Sequence, residues 1–175
     1  MPRALRFILT AAASMLLVGT AQAEPAGIAG AIPQNAFINC LLWTREGVPV
    51  SDLAEPGRLV LETQGAPSGR DTVWSRSIGG ERLLLVQHND GSQACSLFFW
   101  TSNPESIVAA IENVFSRNGE DWPLDFRAVG TSESNGDEVR TYRQHSDKHI
   151  FLAVSIFAAP AEGAPSAAMT FAYTH

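Results

Sequence analysis

The sequence lacks the short motifs that usually reveal an enzyme or a cofactor site. It contains no Cys-x-x-Cys pair, no glycine-rich phosphate loop, no His-Glu-x-x-His and no Gly-x-Ser-x-Gly elbow. The first absence excludes thioredoxin-like redox chemistry and c-type haem attachment. The others leave no basis for P-loop, zincin or α/β-hydrolase chemistry. We therefore predict no cofactor, and no residue is assigned a catalytic role.

Positive charge is also scarce. The chain has 12 Lys and Arg against 18 Asp and Glu, a formal net charge of −6, and its basic residues are scattered. An acidic protein repels phosphate backbones and anionic membrane surfaces. Nucleic acid is therefore not an expected partner, and attachment to a membrane surface is disfavoured for the same reason.

Only one long apolar run is present, and it lies at the N-terminus. Arg3 and Arg6 precede the apolar residues 7–19, a stretch shorter than the roughly 20 residues that a membrane-spanning helix needs. A short basic region followed by a short apolar stretch is typical of a secretory signal peptide. Residues 1–23 are therefore predicted to be a cleavable signal peptide of the Sec type.

The predicted cleavage site follows Ala23. Ala21 and Ala23 give the small-x-small pattern that signal peptidase recognises, so the mature chain begins at Glu24 and is periplasmic or secreted. Stable membrane insertion after cleavage is not expected, because no further long apolar run follows. Cleavage removes two basic residues and no acid, which leaves 10 basic and 18 acidic residues. We expect a flexible lead-in at 24–32 and a single globular domain at 33–175.

Cysteine is represented only by Cys40 and Cys95, which are 55 residues apart. In an oxidising compartment, two distant cysteines are most simply explained by one disulfide. Free structural thiols and a reactive thiol are the alternatives. A reactive thiol is disfavoured because neither cysteine has His, Lys or Arg within four residues.

The remaining pattern predicts an α+β fold with an antiparallel sheet of about six or seven strands. A meander of three strands is its clearest part, because Gly79-Gly80 and Asp90-Gly91 are hairpin-turn signals between apolar runs. Residues 132–137 are predicted to be a polar loop, and a short strand at 58–62 is left open. The predicted strands are Thr72–Ile78, Glu81–His88, Gln93–Thr101, Leu124–Gly130, Val139–His145, His149–Ala158 and Met169–Thr174.

One long amphipathic helix is predicted at about 104–118, where apolar residues recur at spacings of three and four. Asn103 is a favourable N-cap, Pro104 suits the first helical position and Gly119 suits the end. For the N-terminal segment, a shorter helix at about 34–45 is the favoured interpretation. A buried strand fits the same residues and stays open.

Two predicted strands are apolar on both faces, and one helix can cover only part of one face. The remaining surface must be covered by the N-terminal segment, by the loop at 48–70 or by another molecule, which would be a partner. We consider three kinds: an unknown protein, a small apolar ligand, and a second copy of the chain in a homodimer.

His145 and His149 are the candidates for a metal site. Across a hairpin turn, two neutral imidazoles with Asp147 as an oxygen ligand would suit zinc or copper. Lys148 lies between them and repels a cation, and solvated turn residues explain the same pattern. No metal is therefore predicted.

His88 lies two and four residues before Asp90 and Ser92, the residue types of a hydrolytic triad. Triad groups usually converge from separate segments, and turn chemistry accounts for both Asp90 and Ser92. Trp74 and Trp122 are candidate anchors for a partner or a sugar ring, although half-buried packing explains them more simply.

Taken together, these features favour an exported soluble protein with a non-enzymatic periplasmic role in binding or protein interaction. Two other hypotheses stay open. One is an envelope hydrolase whose residues converge from separate strands, and the other is a self-associating structural protein.

N-terminal sequencing of the exported protein tests the signal peptide. We expect Glu24 as the first residue, because signal peptidase cuts after the small residue Ala23. Ala23→Leu is expected to leave the chain uncleaved, whereas the neighbouring change Gln22→Ser is expected to be processed normally. A mature chain that begins elsewhere would contradict the predicted site.

Overall fold

The computed structural model describes residues 27–52, 59–62, 71–118 and 124–174. The predicted signal peptide and its cleavage site lie outside the described residues. Within the predicted lead-in, Gly27–Ala31 form a short 3-10 helix in which Ile28 is fully buried.

The described strands form one antiparallel sheet of eight strands, in the order β1-β2-β3-β4-β8-β7-β6-β5. Neighbours along the chain are mostly neighbours in the sheet, as expected for hairpin connections. The strands are β1 Val60–Glu62, β2 Thr72–Ile78, β3 Glu81–Gln87, β4 Cys95–Trp100, β5 Phe126–Ser134, β6 Asp137–Gln144, β7 Ile150–Ile156 and β8 Ala167–Tyr173.

The α+β class is confirmed, but the predicted number of strands is wrong. The sheet has eight strands because β1, left open from the sequence, pairs with β2 over three residues. The predicted loop at 132–137 is also wrong: β5 runs to Ser134, β6 begins at Asp137, and only Asn135 and Gly136 form the turn. Residues 127–134 are all exposed, so no apolar alternation marks this strand in the sequence.

The helices are shorter than predicted. The helix expected to be long is α2, Glu105–Asn118, with 14 residues, or about 21 Å at 1.5 Å per residue. The N-terminal segment is helical, as the favoured interpretation predicts: a π-helix at Pro33–Cys40 leads into α1, Leu41–Glu46. Gly47 ends α1 with a φ of 66°, a left-handed conformation that glycine adopts without strain.

One face of the sheet carries the hydrophobic core. Because side chains alternate between the two faces along each strand, one row of apolar residues crosses five neighbouring strands on this face. The row consists of Trp74, Leu85, Leu97, Met169 and Val154. The N-terminal helices and α2 pack on this face. Their buried contributions to the same core are Ile28, Ile32, Phe37, Leu41, Ile107 and Ile111.

The N-terminal cover is tied to the sheet at two places. A disulfide joins Cys40 to Cys95, as predicted, with a Cα–Cα distance of 5.3 Å and both residues fully buried. The Glu81 carboxylate accepts a hydrogen bond from the backbone N–H of Ile28 at 2.8 Å and another from the Thr101 hydroxyl. These ties hold residues 27–46 over β3 and β4.

The opposite face, here called the second face, carries the alternate residues of each strand. Its central row runs Val73, Val86, Ser96, Thr170 and Ala153. Within the described ranges no helix packs on it. The row is small, hydroxylated or β-branched, and three of its members, Val73, Val86 and Ser96, are buried.

Two aromatic rings of the second face are shielded by arginines. The Arg82 guanidinium lies 5.3 Å from the centre of the Trp100 ring, and that of Arg143 lies 4.5 Å from the centre of the Phe151 ring. Cation–π contacts of this kind cover apolar surface without a further layer of structure.

None of the helices in the described ranges has the length and apolar character needed to cross a membrane.

Helix α2 is held to β6 by one arginine and one tyrosine. Arg140 pairs with Glu112 at 3.2 Å, with Glu105 at 3.7 Å, and with Glu138 of its own strand. The Tyr142 hydroxyl donates to Glu112 at 3.3 Å. Burial of the phenol, reinforced by the charge of Glu112, raises the pKa of Tyr142 to about 12.

Loss of the disulfide should destabilise the fold without changing it. We expect Cys40→Ala with Cys95→Ala to lower the free energy of unfolding by about 2–5 kcal/mol, measured by urea denaturation. The matched control is reductant, which should shift the unfolding midpoint of the wild type and leave that of the variant unchanged. Equal midpoints for wild type and variant would contradict the proposed contribution.

The raised pKa of Tyr142 predicts a loss of stability at high pH. The folded pKa of about 12 lies above the unfolded value of about 10, so this contribution is complete below about pH 10 and is lost as the pH rises towards 12. Urea denaturation between pH 9 and pH 11.5 should show a steeper fall for the wild type than for Tyr142→Phe. Parallel curves would refute the assignment.

Candidate functional site

Arg127 and Arg143 lie directly opposite each other on strands β5 and β6, and both project from the second face. With His145 and Lys148 they line an open depression of about 210 Å³. These four side chains are called the basic pocket. Ala128, Val129 and Gln144 complete its lining.

Local hydrogen bonding explains why the basic pocket forms here. A β-bulge between Ala128 and Gly130 leaves Val129 57% exposed at the rim. After β6 ends, His145 donates its backbone N–H to the carbonyl of Asp125 at 3.0 Å. The Asp125 carboxylate accepts from the N–H of Ser146 at 2.7 Å. These bonds hold the turn that presents His145 and Lys148.

The basic pocket concentrates positive charge on the second face. No Asp or Glu among the described residues forms an ion pair with Arg127, Arg143 or Lys148. Asp147 is next to Lys148 in the sequence, but its carboxylate accepts a hydrogen bond from the backbone N–H of His149 at 3.0 Å. Like charges directly opposite each other on neighbouring strands are destabilising, so the Arg pair lowers the stability of an otherwise acidic protein.

The two histidines considered for metal binding make separate contacts. His145 lies among the cations of the basic pocket. The Nδ1 of His149 donates to the carbonyl of Thr174 at 2.7 Å, and its ring stacks on Tyr173 with centres 5.6 Å apart. Over the described ranges, no three His, Cys, Asp or Glu side chains are grouped to hold a metal ion.

A second cluster, here called the His88 chain, crosses four strands of the second face. Asp71 Oδ2 lies 3.2 Å from Nδ1 of His88, and Nε2 of His88 lies 3.1 Å from the Ser96 hydroxyl. The Ser96 hydroxyl lies 3.0 Å from that of Thr170. The order of groups is that of a Ser-His-Asp triad.

Asp90 and Ser92 make turn contacts, as the sequence interpretation expected, and neither belongs to the His88 chain. Ser92 donates its N–H to Asp90 Oδ1 at 2.9 Å, and its hydroxyl accepts from the N–H of Ala94 at 3.3 Å. Hydrogen bonds from Ser92 lower the pKa of Asp90. Asp90 and Ser92 therefore stabilise the turn between β3 and β4. The signal that was missed is the hairpin register of β3 and β4, which aligns Val86 with Ser96.

The tryptophans are mainly packing residues. Trp74, a candidate anchor, is only 9% exposed and belongs to the core. The Nε1 of Trp100 donates to the carbonyl of Gly163 at 2.8 Å. Trp122, the other candidate anchor, lies outside the described residues.

Comparison with known proteins does not assign the chain to a family. No family model matches the chain, and neither a curated protein nor a solved structure matches it.

Proposed function

We propose that this is an exported binding protein that holds a small organic anion in the basic pocket, a role that needs no catalysis. The observation that carries the proposal is the direct opposition of Arg127 and Arg143, with Lys148 and His145 around the same depression. Without an anion, these charges repel one another. A bound carboxylate or phosphate converts that repulsion into attraction.

The side chains also favour a chemical class of ligand. Guanidinium groups are planar and donate two parallel hydrogen bonds to carboxylate or phosphate, whereas Lys148 adds a point charge. The cation–π contact with Phe151 helps to hold the Arg143 guanidinium in position. Ala128 and Val129 offer apolar contact beside the charges. This set suits an acid with a small apolar body better than the small apolar ligand expected from the surplus apolar surface of the sheet.

The size and exposure of the depression limit how the ligand binds. A volume of about 210 Å³ is below the usual 300–1,000 Å³ of drug-sized sites. Arg127, Arg143, His145 and Lys148 are all exposed, so the attraction is screened by salt within a Debye length of about 8 Å at physiological ionic strength. We therefore expect a small ligand whose affinity falls as salt rises.

Benzoate and its neutral isostere benzamide test the proposal. In an NMR titration at low salt, benzoate is expected to shift the side-chain resonances of Arg127 and Arg143, and benzamide is not. Arg143→Gln is expected to weaken benzoate binding about tenfold or more, because one charge-assisted hydrogen bond contributes about 1.5–3 kcal/mol. The matched control is Arg117→Gln, an exposed cation at the end of α2, which should bind as the wild type does.

A stability measurement separates a binding site from a structural cluster. Without ligand, Arg127→Gln is expected to be as stable as the wild type or up to about 1 kcal/mol more stable, since a like-charge pair is removed. Equal binding of benzoate and benzamide, or equal benzoate affinity in Arg143→Gln and Arg117→Gln, would refute the proposal.

A further inference from the structure

We propose that Ser96 is a nucleophile that accepts a small acyl group from an activated ester, with His88 as its general base. This activity is independent of the basic pocket. It rests on the His88 chain, whose members come from separate segments: Asp71 lies just before β2, His88 just after β3, and Ser96 and Thr170 within β4 and β8.

The direction of every hydrogen bond in the chain follows from its first member. An ionised Asp71 carboxylate can only accept, so a neutral His88 carries its proton on Nδ1 and presents a lone pair on Nε2. The Ser96 hydroxyl therefore donates to Nε2. Since its one proton is used, Ser96 must accept from the Thr170 hydroxyl. Ser96 is thus aligned to lose its proton to His88.

Asp71 is held so that it orients His88. Its second carboxylate oxygen accepts the backbone N–H of Asn89 at 3.3 Å, and the Asn89 side chain donates to Thr72 at 3.2 Å. The Asp71 side chain is only 10% exposed. Asp71 acts here as a positioning residue, because it touches His88 and not the reacting atoms.

The step balances without a cofactor. The Ser96 oxygen attacks the ester carbonyl carbon while its proton moves to His88 Nε2, and the ester C–O bond breaks. His88 then gives that proton to the departing alcohol, which leaves an acyl group on Ser96. Water releases the acid by the reverse proton path and restores free Ser96.

The exposure of Ser96 and His88 indicates the class of substrate. Ser96 is 4% exposed and the His88 side chain is 27% exposed, which favours a compact acyl group such as acetyl over a bulky one. The Thr170 hydroxyl is the hydrogen-bond donor that stabilises the developing charge on Ser96. General-base assistance contributes about 10²–10⁴-fold, which suits an activated ester rather than an amide.

Peptide mapping of the purified exported protein after brief treatment with p-nitrophenyl acetate tests this proposal. We expect an acetyl group on Ser96 and a burst of p-nitrophenol. His88→Gln should slow Ser96 acetylation about 10²–10⁴-fold, and Ser96→Ala should abolish the burst. Ser92→Ala, which removes an exposed hydroxyl four residues away, is the matched control and should react as the wild type does.

The positioning role of Asp71 is tested separately, by the acetylation rate of an Asp71→Asn variant. In Asp71→Asn, the amide can donate to Nδ1 and favour the opposite tautomer, so acetylation should slow while the circular dichroism spectrum is unchanged. Acetylation confined to lysines, or an equal burst in Ser96→Ala and Ser92→Ala, would overturn the proposal. If Ser96→Ala does not fold, the mapped site in the wild type and the rate for His88→Gln decide it.

Discussion

Everything in this structure depends on covering one face of an eight-stranded sheet with about twenty residues from the N-terminal side. The sheet's apolar row, including Leu85 and Leu97, needs a partner layer, and α2 alone spans about 21 Å. Residues 27–46 supply the rest. Because this segment contains short, irregular helical turns, packing alone specifies its position weakly. The Cys40–Cys95 disulfide and the bond from Ile28 to Glu81 fix where it lies.

This arrangement explains the chemistry of the second face. Within the described ranges the helices all pack on the core side, and the side chains of the opposite face are smaller and include hydroxyl groups. The central strands accordingly place Ser96, Thr170 and Ala153 there, and the larger ring of Phe151 lies under an arginine. A sheet face of this composition can hold polar side chains in rigid register. Rigid register is what a binding or catalytic constellation requires.

Much of the fold could be predicted, because its strongest signals are local. Turn residues marked the β2–β3–β4 meander, and Asn103 with Pro104 marked the start of α2. The predicted strand ends at Gly130, whereas β5 runs to Ser134. The outer half of β5 is exposed on both faces, so its sequence shows no alternation of apolar and polar residues. The sites could not be predicted in the same way. Arg127 and Arg143 are sixteen residues apart in the chain, and only the β5–β6 register brings them together. For His88, the sequence analysis weighed only Asp90 and Ser92 and attributed both to a turn, whereas the partners of His88 lie across strands.

The two clusters share the second face but act independently. Ser96 on β4 and Arg143 on β6 are separated by β8 and β7, which at about 4.8 Å per strand puts them about 14 Å or more apart. A ligand small enough for a depression of about 210 Å³ cannot reach Ser96. The change in charge that a bound anion brings to the basic pocket is also screened by salt over this distance. A substitution of Arg143 is therefore expected to leave the proposed reactivity of Ser96 unchanged, and a substitution of His88 to leave the proposed anion binding unchanged. An anion that altered acylation at Ser96 would have to act through the strands themselves, by a shift of β7 or β8.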